Sequence, residues 1–143
     1  MPVFFEDVRE GDPLPPLVKG PIERVQLVKY AGASGDFNPI HVDEPYALAA
    51  GMKSVFAQGM LSMAWLGQLL TDWLGPTGEL RRFSSRFTAM AWPGDVITST
   101  GAVVRKWEEE GRGLVELALE SRNPRGEITV KGKAVASLPK RAA

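Results

Sequence analysis

The chain has 143 residues, 44% of them hydrophobic, which suits one contiguous core and a single domain over residues 1–143. Its 17 basic residues balance 17 acidic ones, so no net field favours nucleic acid or an anionic membrane; small molecules and protein surfaces are the expected partners. The absence of cysteine excludes disulfides, thiolate metal sites and a thiol nucleophile.

The N-terminal run Met-Pro-Val-Phe-Phe-Glu-Asp has no basic stretch followed by an apolar one and a small-residue cleavage site. A secretory signal is therefore not expected, and a cytoplasmic location is. Pro2, Pro13, Pro15, Pro16 and Pro21 withhold donors that a helix or central strand would need, which predicts an extended lead-in over residues 1–21, able to wrap over the core.

From Arg24 to Ala33, the residues Val25, Leu27, Val28, Tyr30 and Ala31 suit one side of a helix, with Gly32 and Gly35 offering a stop. A short second helix is predicted over Glu44 to Ala50, closed by Gly51, with Asp43 placed to cap it. From Gln58 to Trp73 the apolar residues nearly encircle a helix, so this one is expected to be buried on most sides. Its longest apolar segment, Gly59 to Leu74, is broken by Gln68, Thr71 and Asp72 and falls short of the roughly 20 apolar residues of a membrane span.

After Gly75-Pro76-Thr77-Gly78 the period changes to two. Phe83, Ser85, Phe87 and Ala89 point one way and Arg82, Ser84, Arg86 and Thr88 the other, predicting a strand with one wet face. Further strands are predicted over Val96 to Trp107, Leu114 to Ser121 and Ile128 to Leu138. Pro93-Gly94-Asp95, Glu110-Gly111-Arg112-Gly113 and Asn123-Pro124-Arg125-Gly126 read as hairpin connections between them. Antiparallel strands need an apolar cover, which the long helix supplies, so the predicted class is α+β: a curved antiparallel sheet around a central helix. No repeat or internal linker interrupts it.

The segment Gly35-Asp36-Phe37-Asn38-Pro39-Ile40-His41 concentrates chemistry. Gly35 permits a sharp helix exit and Pro39 biases Asn38 away from helical geometry, so Asp36 and His41, five residues apart, lie on a constrained loop. A carboxylate and an imidazole on one bound water can divide proton donation and acceptance. Asn38 is a candidate to orient one of them. These residue types are also common turn formers, so composition by itself leaves a plain turn with a structural histidine open.

This stretch resembles the hydratase motif of the MaoC-like family, R-specific enoyl-CoA hydratases and (3R)-hydroxyacyl-ACP dehydratases of the hot-dog fold. The resemblance runs from about Tyr30 to Asp95 and has three parts: Gly35-Asp36-x-Asn38-Pro39-x-His41; Ala57-Gln58-Gly59-Met60 at the start of the long helix; and, more weakly, Phe87 followed by Pro93-Gly94-Asp95. It implies a catalytic dyad of Asp36 and His41, and a Gly59 amide that holds the substrate carbonyl at a helix N-terminus, where the first N–H groups lack internal partners. It implies an acyl-CoA or acyl-ACP substrate, with no metal and no prosthetic group. Gln58 departs from the family's usual histidine.

Competing readings are a hot-dog thioesterase and a non-catalytic acyl-thioester-binding subunit, because a shared fold leaves the activity open. Arg82 and Arg86 are candidates for contact with coenzyme A phosphates or an acidic carrier, beside the plainer reading of a solvated strand face. Met60, Met63, Trp65, Leu69 and Trp73 are either core or the lining of an acyl tunnel. An open sheet edge predicts a homodimer or larger assembly, and the resemblance also allows a heterodimer in which this chain carries the dyad.

Overall fold

The computed structural model describes residues 1–142. The lead-in is more structured than an extended strip. It opens with a single helical turn at Phe5–Asp7 and contributes a three-residue strand, β1 (Leu17–Lys19), antiparallel to a later strand. Its prolines all lie outside β1, so none removes a donor from that edge strand. Phe5, Val8 and Leu14 are buried, so the lead-in does wrap over the core.

Three helices follow: α1 (Arg24–Ser34), α2 (Glu44–Ala49) and α3 (Gly59–Leu74), each within a residue or so of its predicted bounds. Leu27 and Ala31 form the buried line of α1, whereas Val25 and Val28, expected on the same side, are each 52% exposed. The α3 helix is likewise buried on fewer sides than its composition suggests. Leu61, Trp65, Leu66, Leu69, Leu70 and Leu74 face inward, while Met60 and Ala64 are exposed.

Four long strands complete the chain: β2 (Glu79–Phe87), β3 (Ile97–Glu109), β4 (Arg112–Arg122) and β5 (Ile128–Leu138). The sheet order is β1-β3-β4-β5-β2, antiparallel throughout. The connections at Glu110–Gly113 and Asn123–Gly126 are hairpins, as predicted. The one at Pro93-Gly94-Asp95 is not: β2 pairs with β5, and residues 88–96 carry the chain across the sheet to β3. The reason is coverage, since that crossing leaves α3 in the sheet's hollow with long strands on both sides of it.

Two apolar clusters result. The second half of α3 packs through Leu66, Leu69, Leu70 and Leu74 on Val103, Val115, Leu117, Val130 and Ala136 of the sheet. The first half packs through Leu61 and Trp65 on Ile22, Leu27, Ala47 and Ala57. The latter cluster holds the helix layer that carries the chemistry-bearing loop.

Candidate active site

At the end of α1, Gly35 adopts the left-handed conformation (φ 75°, ψ 10°) and donates its N–H to the Ala31 carbonyl at 2.9 Å. That conformation suits a residue without Cβ and turns the chain out of the helix. Asp36 Oδ1 accepts the Asn38 N–H at 3.3 Å, Asn38 Oδ1 accepts the Ile40 N–H at 3.2 Å, and the Asn38 carbonyl accepts the His41 N–H at 3.2 Å. Pro39 starts the helical turn Pro39–His41, so the residues between Asp36 and His41 wind into one compact reversal. It brings the two side chains together, with His41 Nε2 3.6 Å from Asp36 Oδ2. Asn38 does not touch the His41 side chain; it shapes the backbone between the pair, bonding Asp36 only through its own N–H.

The His41 ring is 9% exposed and makes a 2.7 Å hydrogen bond through Nδ1 to the Phe56 carbonyl. A carbonyl only accepts, so Nδ1 carries the hydrogen and the neutral ring presents its lone pair at Nε2, toward Asp36. At 3.6 Å the pair is too far apart for a good direct hydrogen bond and too close for a water between them, but one water lying beside both atoms can bond to each. The Asp36 side chain is 41% exposed, so this junction is open to small molecules.

Phe56 meets the His41 ring edge-on at 4.9 Å between centroids, and Trp92 meets Phe56 in the same manner at 5.9 Å. Behind them, Asp95 accepts the Trp92 N–H at 3.0 Å and a bidentate pair of bonds from Arg125 at 2.9 and 2.8 Å. The Arg125 guanidinium holds the buried Asp95 carboxyl below its ordinary pKa, against the opposing effect of burial. The Pro93-Gly94-Asp95 turn is thereby anchored to the β4–β5 hairpin, and Ala57 N–H donates to the Ala91 carbonyl at 2.9 Å. The wall behind His41 is thus braced from the sheet.

Gly59 is the first residue of α3 and Gln58 its N-cap. The Gly59 and Met60 amides, the first of the helix, donate to no acceptor among the described residues. A Cβ at Gly59 would lie 3.3 Å from the Phe87 ring, so glycine keeps this helix end open beside the end of β2. Gln58 is fully buried and donates Nε2 to the Leu27 carbonyl at 2.9 Å, and its Oε1 has no partner among the described residues.

The other candidates divide. Asp43 occupies the N-cap position of α2 but makes no side-chain capping bond. Arg82 and Arg86 are exposed on β2, and Arg86 lines a depression of about 820 Å³ on the outer face of the sheet with Ala102, Ala118, Glu120, Lys131 and Lys133. None of Asp36, His41 or Gly59 borders it. Trp65 and Leu69 are core, Met63 and Trp73 half-buried, and Met60 is 56% exposed. The residues that sequence reasoning missed are Phe56, which holds the imidazole by its main chain, and Trp92 behind it; Asp95 is singled out by sequence only as part of a turn, without its bond to Trp92 or Arg125. A backbone carbonyl leaves no mark in a sequence. Among the described residues no group of three His, Asp or Glu side chains is placed to hold a metal ion, and no helix is long and apolar enough to cross a membrane.

Residues 9–123 match the family model described as MaoC like domain. The chain belongs to the MaoC-like family. Among the members it resembles is the (R)-specific enoyl-CoA hydratase of Rhodospirillum rubrum, 32% identical over 143 residues, covering 96% of this chain and 93% of that one. The R-hydratase PhaJ1 of Pseudomonas aeruginosa, solved in its unliganded form, superimposes with a TM-score of 0.86 at 27% identity, over 98% of this chain and 88% of that one. The ChsH1-ChsH2 complex of Mycobacterium tuberculosis contains a chain that superimposes with a TM-score of 0.81 at 25% identity, over 91% and 98%. These likenesses identify the sheet-around-helix architecture as the hot-dog fold of MaoC-like hydratases and dehydratases.

Proposed function

We propose that this MaoC-like chain reversibly adds water to trans-2-enoyl thioesters, giving (R)-3-hydroxyacyl thioesters, with Asp36 and His41 as the reacting pair. The observation that carries it is the Nε2 to Oδ2 approach of 3.6 Å with Nδ1 committed to Phe56. A water held on the open side of the pair donates one hydrogen to Oδ2 and one to Nε2 and turns its oxygen outward. As that oxygen bonds to C3, the pair takes up the released proton and returns a proton to C2, so one water is consumed and no other reactant is required. The charge that builds on the thioester oxygen meets the Gly59 N–H at the positive end of α3. The R configuration and the thioester substrate rest on likeness to the Rhodospirillum rubrum and Pseudomonas aeruginosa hydratases.

Assembly follows from surface chemistry. The edge strand β2 is open along nine residues, and exposed Phe37, Met60 and Phe87 flank both halves of the site. A second copy, or a related subunit, that continues the sheet at β2 covers this apolar surface. Likeness to a chain of the ChsH1-ChsH2 complex favours a second reading, in which this chain is one subunit of a heteromeric hydratase.

The test is loss of enoyl absorbance when pure protein meets crotonyl-CoA and a longer enoyl-CoA, with free thiol assayed in parallel. Absorbance loss without thiol release is the expected result. Thiol release would identify a thioesterase. Silence in both, with tight binding of enoyl-CoA, would identify a binding subunit.

A further inference from the structure

We propose that Gln58 is a positioning residue that clamps the start of α3 to α1, setting the Gly59 N–H against the Asp36–His41 pair. The inference rests on the hydratase reading for its consequence, though not for its geometry. The Gln58 side chain is 0% exposed, its Nε2 donates to the Leu27 carbonyl 31 residues away at 2.9 Å, and Leu27 is itself 0% exposed. The Leu27 carbonyl lies inside α1, where the helix ladder already uses it, and its second lone pair takes the carboxamide hydrogen.

Gln58 is fully buried, bonds to Leu27, and follows Ala57 in sequence; both of those residues belong to the apolar cluster under the first half of α3. In such a place a side chain of like length without polar atoms fills the space and leaves no group unpaired. Among the described residues Gln58 Oε1 has no partner, so the carboxamide's one protein bond is the one to Leu27. What the carboxamide adds is a link between two particular segments. One is α1, which runs directly into Gly35 and Asp36. The other is residues 56–59, which hold His41 through the Phe56 carbonyl and open α3 at Gly59. The Leu27–Gln58 and Phe56–His41 bonds therefore bracket the Asp36 loop against the helix end from two sides. A carboxamide stays neutral at every working pH, so the clamp adds no titrating group to the site.

Two variants test the clamp. Gln58→Met keeps length and removes the donor; Gln58→His restores a neutral donor to Leu27 together with one acceptor nitrogen. In enoyl-thioester hydration, Gln58→Met is expected to lower kcat by about 10- to 100-fold with KM nearly unchanged, the usual consequence of slight misplacement, and Gln58→His to recover most of the loss. The pH profile should keep its midpoints in Gln58→Met, which adds no titrating group. A second readout needs no turnover: in Gln58→Met the Gly59 amide resonance should shift and exchange faster with solvent, with Tm little changed, while Gln58→His keeps the wild-type amide signal.

Wild-type kcat in Gln58→Met, or a kcat loss with an unmoved Gly59 amide, would overturn the proposal. If Gln58→Met fails to fold, Gln58→His decides: folded protein with a displaced Gly59 amide counts against the clamp. A wild-type protein inactive on every enoyl thioester tells against the hydratase reading, and the amide measurement still judges Gln58 by itself.

Discussion

The imidazole of His41 and the carbonyl of Phe56 are joined by a 2.7 Å hydrogen bond that decides which ring nitrogen is free to react. Because the acceptor is a main-chain oxygen, the bond holds the ring in one tautomer whatever side chain stands at position 56. Nε2 is then the only nitrogen that faces Asp36.

That tautomer is directly measurable. With a single histidine in the chain, nitrogen chemical shifts of the neutral imidazole have one source, and they should report hydrogen on Nδ1. Hydrogen on Nε2 would remove His41 as an acceptor toward a water held with Asp36. His41→Ala should abolish hydration and, by leaving the Phe56 carbonyl unpaired, cost about 1–3 kcal/mol of stability in denaturant unfolding.

Asp36→Asn keeps the shape of the loop, since Oδ1 can still accept the Asn38 N–H. Hydration of crotonyl-CoA should nevertheless fall by about two orders of magnitude or more, the usual worth of a positioned acid–base group. Turnover close to wild type would take Asp36 out of the reaction.

Gly59→Ala separates activity from stability. The added methyl stands 3.3 Å from the Phe87 ring, but Phe87 is 50% exposed and can shift, and alanine favours the helix by roughly 1 kcal/mol. Tm should change little. The methyl stands beside the Gly59 N–H, where the proposed reaction brings a thioester carbonyl, so kcat/KM should drop by about tenfold or more, as for loss of an oxyanion donor. A drop in Tm with kcat/KM unchanged would make Gly59 a packing residue.

The Asp95–Arg125 pair predicts an acid limb in stability. Hydrogen bonding from Arg125 lowers the Asp95 pKa in the folded protein, so between that value and the ordinary carboxylate value the unfolded chain binds the extra proton. Stability from the pair is therefore full above the unfolded pKa and is lost as pH falls through the folded one. Arg125→Ala should lower stability at neutral pH, by an amount that solvent screening of the exposed guanidinium keeps small, and the difference from wild type should shrink in acid. An equal difference at neutral and acid pH would show that the pair is not its source. Because Asp95 also braces Trp92 behind Phe56, a modest loss of activity should accompany it.

Much of the site was legible because it is local. Gly35 marks where α1 must stop, Asn38 and Pro39 force a reversal, and Asp36 and His41 sit at its two ends; short-range sterics and side-chain-to-backbone bonds decide all of this. The helix of residues 59–74 was legible from its length and apolar content, and two hairpins from their glycine-containing turns. The third apparent hairpin misled for a physical reason. Pro93-Gly94-Asp95 announces a change of direction, but turn residues say nothing about which strand lies beyond the turn. Val25 and Val28 misled likewise, since an apolar residue on a helix is buried only where another element arrives to cover it.

By itself, then, the sequence determined the helices, the strands, the compact loop and the two residues that loop presents, since each depends on neighbours a few positions away. Only the tertiary structure decided that β2 lies beside β5 and that Nδ1 of His41 is spent on Phe56. It also decided that Gln58 reaches Leu27 and that Arg125 braces the wall behind the imidazole. Three of those four rest on long-range contacts with backbone groups, which every residue carries alike, and the fourth on a pairing of charges 30 residues apart. Which of many identical carbonyls meets a given donor is settled when α3 seats in the sheet, by packing rather than by pattern.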